Sequence, residues 1–399
     1  MFAGKKWPIE LFQAVLLTLI FSLYRTDKSA LSKAMLLRST FIVLLRDLGA
    51  FNFELLTAHL KTHINGSYTP YMLSIREKFK RVLALTFQFD AYFALAHEMP
   101  PILHRQEVGV ELPTTFGLWN TYGLEILAKR MPDEPPGRGG CQVSEMTAAP
   151  DAFPCSQLLV EDVQLGLCGV LPAIWVLKQS FPSKTRAHLS NASQRDLLME
   201  TLDAWKHELD KISVLADAKN ITANPTRKLL LAYRGEDDHA VASLERITTL
   251  LQDGMVLYYY LKMTHHTGAN ACTTVELEKL IEETHAETWR TSKAAREALV
   301  CALQLLKMAS SIGAPDAAFN PLMRHALARA LNVARAVVPC QECECLAKES
   351  QSDATMDFQR WAEVGGYLRI DGTPVCTCKL EFWIESFQNA IRDQKMMVE

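Results

Sequence analysis

The sequence predicts an all-α fold, an irregular multi-helix array or bundle, and three observations support it. Apolar residues recur with the spacing of a helix face in nearly every periodic segment of the 399-residue chain. The hydrophobic content of 49% is enough for a sizeable buried core. Strand-like alternation is weak: only residues 367–375 predict a small β-hairpin near the C-terminus, because Asp371-Gly372 is a favoured turn sequence.

The individual helices are predicted from apolar residues that repeat in steps of three and four. The first of them, at 11–23, is the most hydrophobic run of the chain. It is shorter than the ~20 residues of a membrane span, so a core helix is expected there. The predicted helices are 11–23, 31–48, 75–96, 114–129, 158–179, 198–212, 244–261, 277–281, 299–306, 322–338 and 380–391.

Glycine, proline and threonine residues set several of the predicted boundaries. Gly49 ends the second helix, and the Pro100-Pro101 turn follows the third. Pro70 is expected in the loop that precedes the third helix. Thr114 or Thr115 is the predicted N-cap of the fourth.

A change of composition predicts how the chain is divided. Residues 131–156 are polar and rich in proline and glycine, which predicts a surface loop or linker. We expect it to separate residues 1–130, the first part of a helical domain, from residues 157–399, the C-terminal helical part of the same region.

The charge balance and the cysteines limit the partners and the compartment. The net charge is −3, whereas a chain that neutralises phosphates usually carries a basic excess. We therefore expect no direct nucleic-acid partner, and no membrane. We expect no secretory leader before the ten scattered cysteines, which predicts reduced thiols in the cytosol or nucleus.

One cysteine cluster raises the question of a metal site. Cys340, Cys343 and Cys345 lie in one segment, and Cys376 and Cys378 lie in another. Thiolates on two segments can close a tetrahedral zinc site, but these spacings do not match the common zinc fingers. The alternative is small buried thiols plus exposed loop cysteines, so no metal ligand is assigned. Sulfurs of Cys345 and Cys376 within ~4 Å of each other would favour zinc.

Other motifs yield no catalytic or cofactor-binding residue, and the chain is predicted not to be an enzyme. His97-Glu98 is not a zinc-protease motif, because position 101 is proline. His265-His266 is interpreted as imidazoles placed against a helix C-terminal dipole. The pair at 237–238 is interpreted as acids at a helix N-terminus.

Asp90 is the most interesting acid, because it lies among aromatic residues in an otherwise apolar helix. A buried carboxylate requires a partner, and we expect Arg38, Arg46 or Arg81 to form an ion pair with it. The alternative is an exposed aspartate on a helix edge. Asp90, Arg46 and Arg81 are assigned structural roles.

Residues 76–113 follow a recognisable order. A basic helix start leads into an apolar-aromatic helix that carries Asp90, and a Pro-Pro turn leads to a closing Leu112-Pro113. This order resembles the middle segment of the fungal-specific transcription factor regulatory domain. In that family a basic pair opens the helix, an Asp-aromatic pair ends it, and a short loop leads to a terminal Leu-Pro.

The resemblance extends over most of the chain, in the order of the family. Residues 5–24 resemble its helix with a glutamine before a leucine run, and residues 32–51 resemble the next helix. The tyrosine-rich run 257–267 and the tail 361–387 resemble members of the family that also carry paired zinc fingers.

The resemblance implies a transcriptional regulator that acts in the nucleus through protein contacts, as a homodimer or heterodimer or with the transcription machinery. It implies control of metabolic or secondary-metabolite genes. No cysteine precedes Cys141, so the DNA-binding region of the family is expected to be missing. The alternatives are an all-α enzyme of secondary metabolism with an apolar cavity, and a stand-alone interaction protein that competes with full-length regulators.

Overall fold

Most of the described residues of the chain are helical. A computed structural model describes residues 5–25, 28–63, 66, 68–121, 123–148, 150, 157–179, 187–217, 224–236, 239–267, 289–311, 320–343, 345 and 358–396. These residues contain fifteen α-helices and one two-stranded antiparallel sheet. The predicted all-α fold is confirmed.

The elements are named in chain order. The helices are α1 Ile9–Ser22, α2 Lys28–Asp47, α3 Phe53–His63, α4 Thr69–Ala96, α5 Phe116–Trp119, α6 Leu124–Arg130, α7 Val143–Met146, α8 Val160–Gln179, α9 Ala187–Leu215, α10 Asn224–Ala232, α11 Ala240–Thr267, α12 Lys293–Ser311, α13 Met323–Val337, α14 Phe358–Val364 and α15 Leu380–Met396. The strands are β1 Arg369–Ile370 and β2 Thr373–Pro374. The predicted helix at 277–281 lies outside the described residues.

The chain forms two compact units, each built from two stretches of sequence. The first contains Met1–Pro172 and Glu200–Met255, and the second contains Ala173–Met199 and Val256–Glu399. The predicted linker at 131–156 lies inside the first unit and does not separate the two.

The described part of that predicted linker is packed into the first unit, which corrects the expectation of a surface segment. Its backbone consists of turns, two 3-10 helices and the short α7. Its buried side chains include Arg138, Cys141, Val143 and Met146. Proline and glycine content therefore predicted the irregular backbone but not the burial. Residues 151–156 lie outside the described residues.

Helix α4 runs through the core of the first unit. It packs against α1, which buries Phe12, Leu16 and Leu19 on one face. Pro70 belongs to the first turn of α4 and not to the preceding loop as predicted. This position suits proline, because the first N–H groups of a helix have no intrahelical acceptor.

The predicted helix at 114–129 is two short helices, α5 and α6. Thr115 is the N-cap of α5, and its hydroxyl accepts a hydrogen bond of 3.2 Å from the amide of Leu118. The break falls before α6, where Gly123 has a φ of +89°. Glycine enters this left-handed region at little cost, so the chain changes direction there.

The second unit contains a helical layer and the predicted hairpin. Helices α12, α13 and α15 pack against one another, and α14 packs on α12. Strands β1 and β2 pair antiparallel around Asp371 and Gly372, whose φ angles are +47° and +79°. Two consecutive left-handed residues define the type I′ turn that Asp-Gly favours. The hairpin prediction is confirmed.

One helix in the described part is long and apolar enough to cross a membrane by length and composition alone. It is Val160–Lys178, with a mean hydropathy of 1.5, and 67% of its most apolar window is buried inside the chain. Pro172 lies inside it. Burial of this kind is typical of a core helix, and the absence of a membrane partner stays a prediction.

A close contact inside the first unit yields a test of this packing. A Cβ built on Gly166 of α8 would lie 2.4 Å from the indole of Trp205, which is fully buried. Gly166→Ala should therefore lower the free energy of unfolding by about 1–3 kcal/mol through overpacking. The sign of this change distinguishes the two effects, because helix propensity alone would make the alanine variant more stable than glycine by ~1 kcal/mol.

Urea unfolding of the single variants and of the double variant Gly166→Ala/Trp205→Leu measures the effect. The smaller side chain should remove most of the cost of Gly166→Ala, which appears as a coupling energy in the double-mutant cycle. A Gly166→Ala chain that is more stable than the wild type would contradict this contact.

Candidate functional site

Asp90 joins three elements of the first unit at one buried carboxylate. Its side chain accepts hydrogen bonds of 2.7 Å from Arg38 Nε on α2, and of 2.8 Å each from the amides of Ile102 and Leu103. Asp90 and Arg38 are each 1% exposed. Asp90 is therefore buried and not on an exposed helix edge, and Arg38 is its ion-pair partner.

The Arg38 guanidinium completes this contact. It donates to the carbonyl oxygen of Pro100 at 3.2 Å and lies 5.1 Å from the centre of the Phe93 ring. Burial raises the pKa of Asp90, while the Arg38 charge and the two loop amides act to lower it. Helix α4, helix α2 and residues 97–115, here named the α4 loop, thus meet at the Asp90–Arg38 pair.

The far end of the α4 loop is held by a second set of charges on α4. Lys80 forms ion pairs with Glu77 at 3.1 Å and with Glu111 of the loop at 2.8 Å. Lys80 also donates to the carbonyl oxygen of Leu112 at 3.4 Å. All three charged groups are buried, so each needs its partners to compensate for the water that it loses on folding.

Backbone groups of Thr114 complete this end. Glu77 accepts a hydrogen bond of 2.8 Å from the amide of Thr114, and Arg81 donates to its carbonyl oxygen at 2.8 Å. The Arg81 guanidinium lies 5.0 Å from the centre of the Trp119 ring. Arg81 therefore does not pair with Asp90 but holds the other end of the same loop.

Arg46 also binds the α4 loop and not Asp90. It donates to both carboxylate oxygens of Glu107 at 2.7 and 2.9 Å, and to the carbonyl oxygen of Ile102 at 2.8 Å. The side chains of Arg46 and Glu107 are 36% and 33% exposed, so water screens this pair. Asp90, Arg46 and Arg81 therefore converge on one loop at three different places.

A further buried ion pair escaped the sequence analysis. Arg138, in the predicted linker, donates from both Nη atoms to the carboxylate of Asp162 at 2.6 and 2.8 Å. Burial acts to lower the pKa of Arg138, but Asp162 outweighs it, so that the pKa is raised. The available signal was an acid in the first turn of the apolar α8, a position where acids are common and which therefore did not stand out as Asp90 did in the middle of its helix.

The four cysteines at 343, 345, 376 and 378 lie together in the second unit. Their sulfur atoms are all within 4.8 Å of one another. Cys343 and Cys378 are 3.2 Å apart, and Cys345 and Cys376 are 3.4 Å apart, which meets the distance set by the sequence analysis for a zinc site. Cys340 is not part of this group: its sulfur faces the carbonyl oxygen of Ala336 at 3.8 Å.

Hydrogen bonding within this group gives one thiol an acidic character. The amide of Cys345 donates to the sulfur of Cys343 at 3.4 Å, and this bond with that from Cys378 lowers the pKa of Cys343 to about 7. The bonds to Cys376 and Cys343 raise the pKa of Cys345 to about 12. The hydrogen bonds within the group therefore shift the pKa values of Cys343 and Cys345 in opposite directions.

The two histidines lie in the last turn of α11, the helix end that the sequence analysis predicted for them. Burial lowers the pKa of His265 to about 4 and that of His266 to about 3. His266 Nδ1 lies 3.2 Å from the carboxylate of Glu297. Asp237 and Asp238 lie outside the described residues.

One pocket of the first unit is too small to be the cavity expected of an enzyme. Trp7, His59, Ile75 and Phe79 contribute to its lining, and its volume is about 120 Å³. Ligand pockets usually measure ~300–1,000 Å³. Two of its lining residues are committed to each other, since the His59 ring stacks on the Trp7 ring at 3.9 Å and accepts a hydrogen bond from the Trp7 amide.

Comparison with known proteins yields no relative. No protein-family model, no curated protein and no solved structure matches this chain.

The Asp90 contact predicts a large loss of stability when the carboxylate is removed. Asp90→Ala leaves the Arg38 charge buried without its partner, which typically costs ~3–5 kcal/mol. The loop amides of Ile102 and Leu103 lose their acceptor at the same time. The midpoint and slope of denaturant unfolding, followed by circular dichroism, measure this loss.

Arg46→Ala is the matched control, because it removes an exposed pair from the same loop. Exposed ion pairs contribute ~0–1 kcal/mol, so this variant should unfold close to the wild type. Equal stability of Asp90→Ala and Arg46→Ala would contradict the central role of the buried pair.

The buried histidines predict a loss of stability in acid. Their folded pKa values lie below the unfolded value of about 6.5, so the unfolded state binds more protons as the pH falls. The contribution of the two neutral histidines to the free energy of unfolding should be fully present above pH ~6.5 and should decline as the pH falls toward ~4. Because carboxylates also titrate there, the test compares wild type with His266→Asn: the variant should show the shallower decline. Identical pH profiles would contradict burial of a neutral His266.

Proposed function

We propose that this chain is the regulatory domain of a fungal-type transcriptional regulator without its own DNA-binding module. It would act in the nucleus, on metabolic or secondary-metabolite genes, through protein contacts. The observation that carries the proposal is the segment 76–113, whose order of basic, acidic and Leu-Pro residues resembles that of the family.

The contacts of this segment support a scaffold and not a catalytic centre. Asp90, Glu77 and Glu111 each bind a buried cation or backbone amides of the α4 loop. A general acid or base needs a carboxylate that can reach substrate, and these three are committed to the fold. The chain is accordingly proposed to be a protein-binding module.

The charge of the chain supports DNA targeting by a partner. With a net charge of −3, the chain has no overall excess of the lysine and arginine that neutralise phosphates. Buried arginines reduce the available cations further, because Arg38 and Arg138 face acids inside the first unit. The proposal therefore assigns DNA binding to another polypeptide or segment.

The surface of α1 supports action through protein contacts. One face of this helix is buried, but the opposite face exposes Leu11, Leu17 and Phe21, which are 53%, 55% and 67% exposed. Leu17 and Phe21 are four positions apart and therefore neighbours on the helix surface, whereas Leu11 lies about 120° around the helix from Leu17. An exposed apolar pair such as Leu17 and Phe21 supports an interaction surface at this place.

Tethering the full chain to DNA tests the proposal. The chain is fused to an unrelated DNA-binding domain, and transcription of a reporter with measurable basal output is compared with that of the DNA-binding domain alone. Because a regulatory domain recruits other proteins, reporter output should change, upward for an activator and downward for a repressor. An unchanged reporter with a folded, nuclear fusion protein would overturn the proposal.

Variants of the tethered chain distinguish a reporter effect that requires the folded domain from one that any tethered polypeptide would produce. Asp90→Ala, which unfolds more easily, should lose the effect, while Arg46→Ala should keep it. Leu17→Glu combined with Phe21→Glu changes only exposed positions and should weaken the effect while helix content stays unchanged. A reporter effect that survives loss of the fold would point to non-specific recruitment.

A further inference from the structure

We infer that Cys343, Cys345, Cys376 and Cys378 bind one zinc ion as a structural four-thiolate site in the second unit. The inference is independent of the proposed regulatory function, since it rests only on the positions and chemistry of these side chains.

The sulfur positions fit a tetrahedral metal site. Zn–S bonds of ~2.3 Å place the four sulfurs of a tetrahedron ~3.8 Å from one another. The four sulfurs lie within 4.8 Å of one another, with the two closest pairs at 3.2 and 3.4 Å. Adjustments of no more than about 1 Å per distance therefore reach the ideal arrangement.

A pair of disulfides is the competing arrangement, and the convergence of all four sulfurs favours metal binding over it. A disulfide requires an S–S distance of ~2.05 Å, so each close pair would have to approach by more than ~1 Å. Two independent disulfides would also leave the distance between the pairs unrestricted. Instead all four sulfurs converge on one centre, as a shared ligand requires.

Contacts that do not involve sulfur bring the two cysteine segments together. The hydroxyl of Thr377 donates to the carbonyl oxygen of Pro339 at 2.9 Å, which joins the segment before Cys343 to the one between Cys376 and Cys378. The amide of Val375 donates to the carbonyl oxygen of Leu368 at 2.8 Å and continues the hairpin. The ligands are therefore presented by a backbone that is already folded.

The ligand set points to zinc and to a structural role. Four thiolates are soft ligands, which disfavour calcium and magnesium and suit zinc in a tetrahedral site. Catalytic zinc sites have three protein ligands and an open position, whereas four cysteines close the coordination sphere. Bound metal would connect the C-terminal end of α13 to the start of α15, two helices that pack against each other.

Metal analysis of the full chain tests the inference. The protein is purified under reducing conditions from zinc-supplemented cells, and bound metal is quantified by mass spectrometry of the elements. One zinc per chain is expected. Replacement by cobalt should produce the visible absorption of a tetrahedral thiolate complex, which reports on the ligands directly.

Three serine variants identify the ligands. Cys376→Ser removes the buried ligand and Cys378→Ser an exposed one, and each should retain less than about a tenth of the zinc, since ligand loss opens a structural site. Cys340→Ser changes a cysteine that lies outside the group, and it should retain the full amount. Far-UV circular dichroism verifies the helix content, and Cys378→Ser keeps the test valid where Cys376→Ser fails to fold.

Two results would overturn the inference. One is a folded chain that contains no zinc after purification from zinc-supplemented cells, whether its four thiols are free or, in a sample purified without reductant, paired as two disulfides. The other is equal zinc loss in Cys340→Ser and Cys378→Ser, because this shows binding outside the proposed site.

Discussion

The Asp90 carboxylate is the point on which the first unit depends. Burying an aspartate and an arginine together costs several kcal/mol per ion, and their attraction offsets this only when further hydrogen bonds complete the site. Here the loop amides and the Pro100 carbonyl oxygen provide those bonds. The charged pair is thus stable in the core only while α2, α4 and the α4 loop are all in place. That condition couples α2 to α4 and to the loop that directly follows α4.

Other buried acids of the first unit also bind a cation and a backbone amide at the same time. Asp162 accepts both Nη donors of Arg138 and also the amide of Leu159, so a cation and a backbone group again share one buried acid. Glu77 does the same with Lys80 and the amide of Thr114. Each of these acids fixes a segment without regular structure against a long helix. Buried polar contacts therefore hold irregular segments against helices at these places, whereas apolar contacts pack the helices against one another.

The elements that could be predicted from sequence are those specified by neighbouring residues. The hairpin depends on Asp371 and Gly372, which adopt the two left-handed conformations of their own turn. Most of α4 follows from its apolar periodicity, although Pro70 was excluded because proline was treated as a loop residue and not as a first-turn residue. In these cases the conformation is determined by residues that are close in sequence, so a window of a few residues is enough to predict it.

The contacts of the candidate sites could be predicted only in part, because they depend on long-range geometry. Three arginines were candidate ion-pair partners of Asp90. Choosing Arg38 among them requires knowledge of how α2 and α4 cross in the fold. Burial of Arg138 depends on Asp162, 24 residues away, whereas composition averages only over adjacent residues. The convergence of the cysteines follows from the contact of residues 377–379 with residues 338–340, the turn that follows α13. Cysteine spacing describes one segment at a time and does not carry this information.

Helix α4 recognises its loop mainly through main-chain atoms, and this has a consequence for how the sequence can vary. Asp90 binds amides at 102 and 103, and Glu77 and Arg81 bind the peptide groups of Thr114. Every non-proline residue offers these groups, so the hydrogen bonds do not select the side chains of Ile102 and Thr114, which are only partly buried. Leu103 is buried, and packing constrains its side chain as well. Substitutions should therefore accumulate more readily at Ile102 and Thr114 than at the three polar positions of α4 that hold the loop.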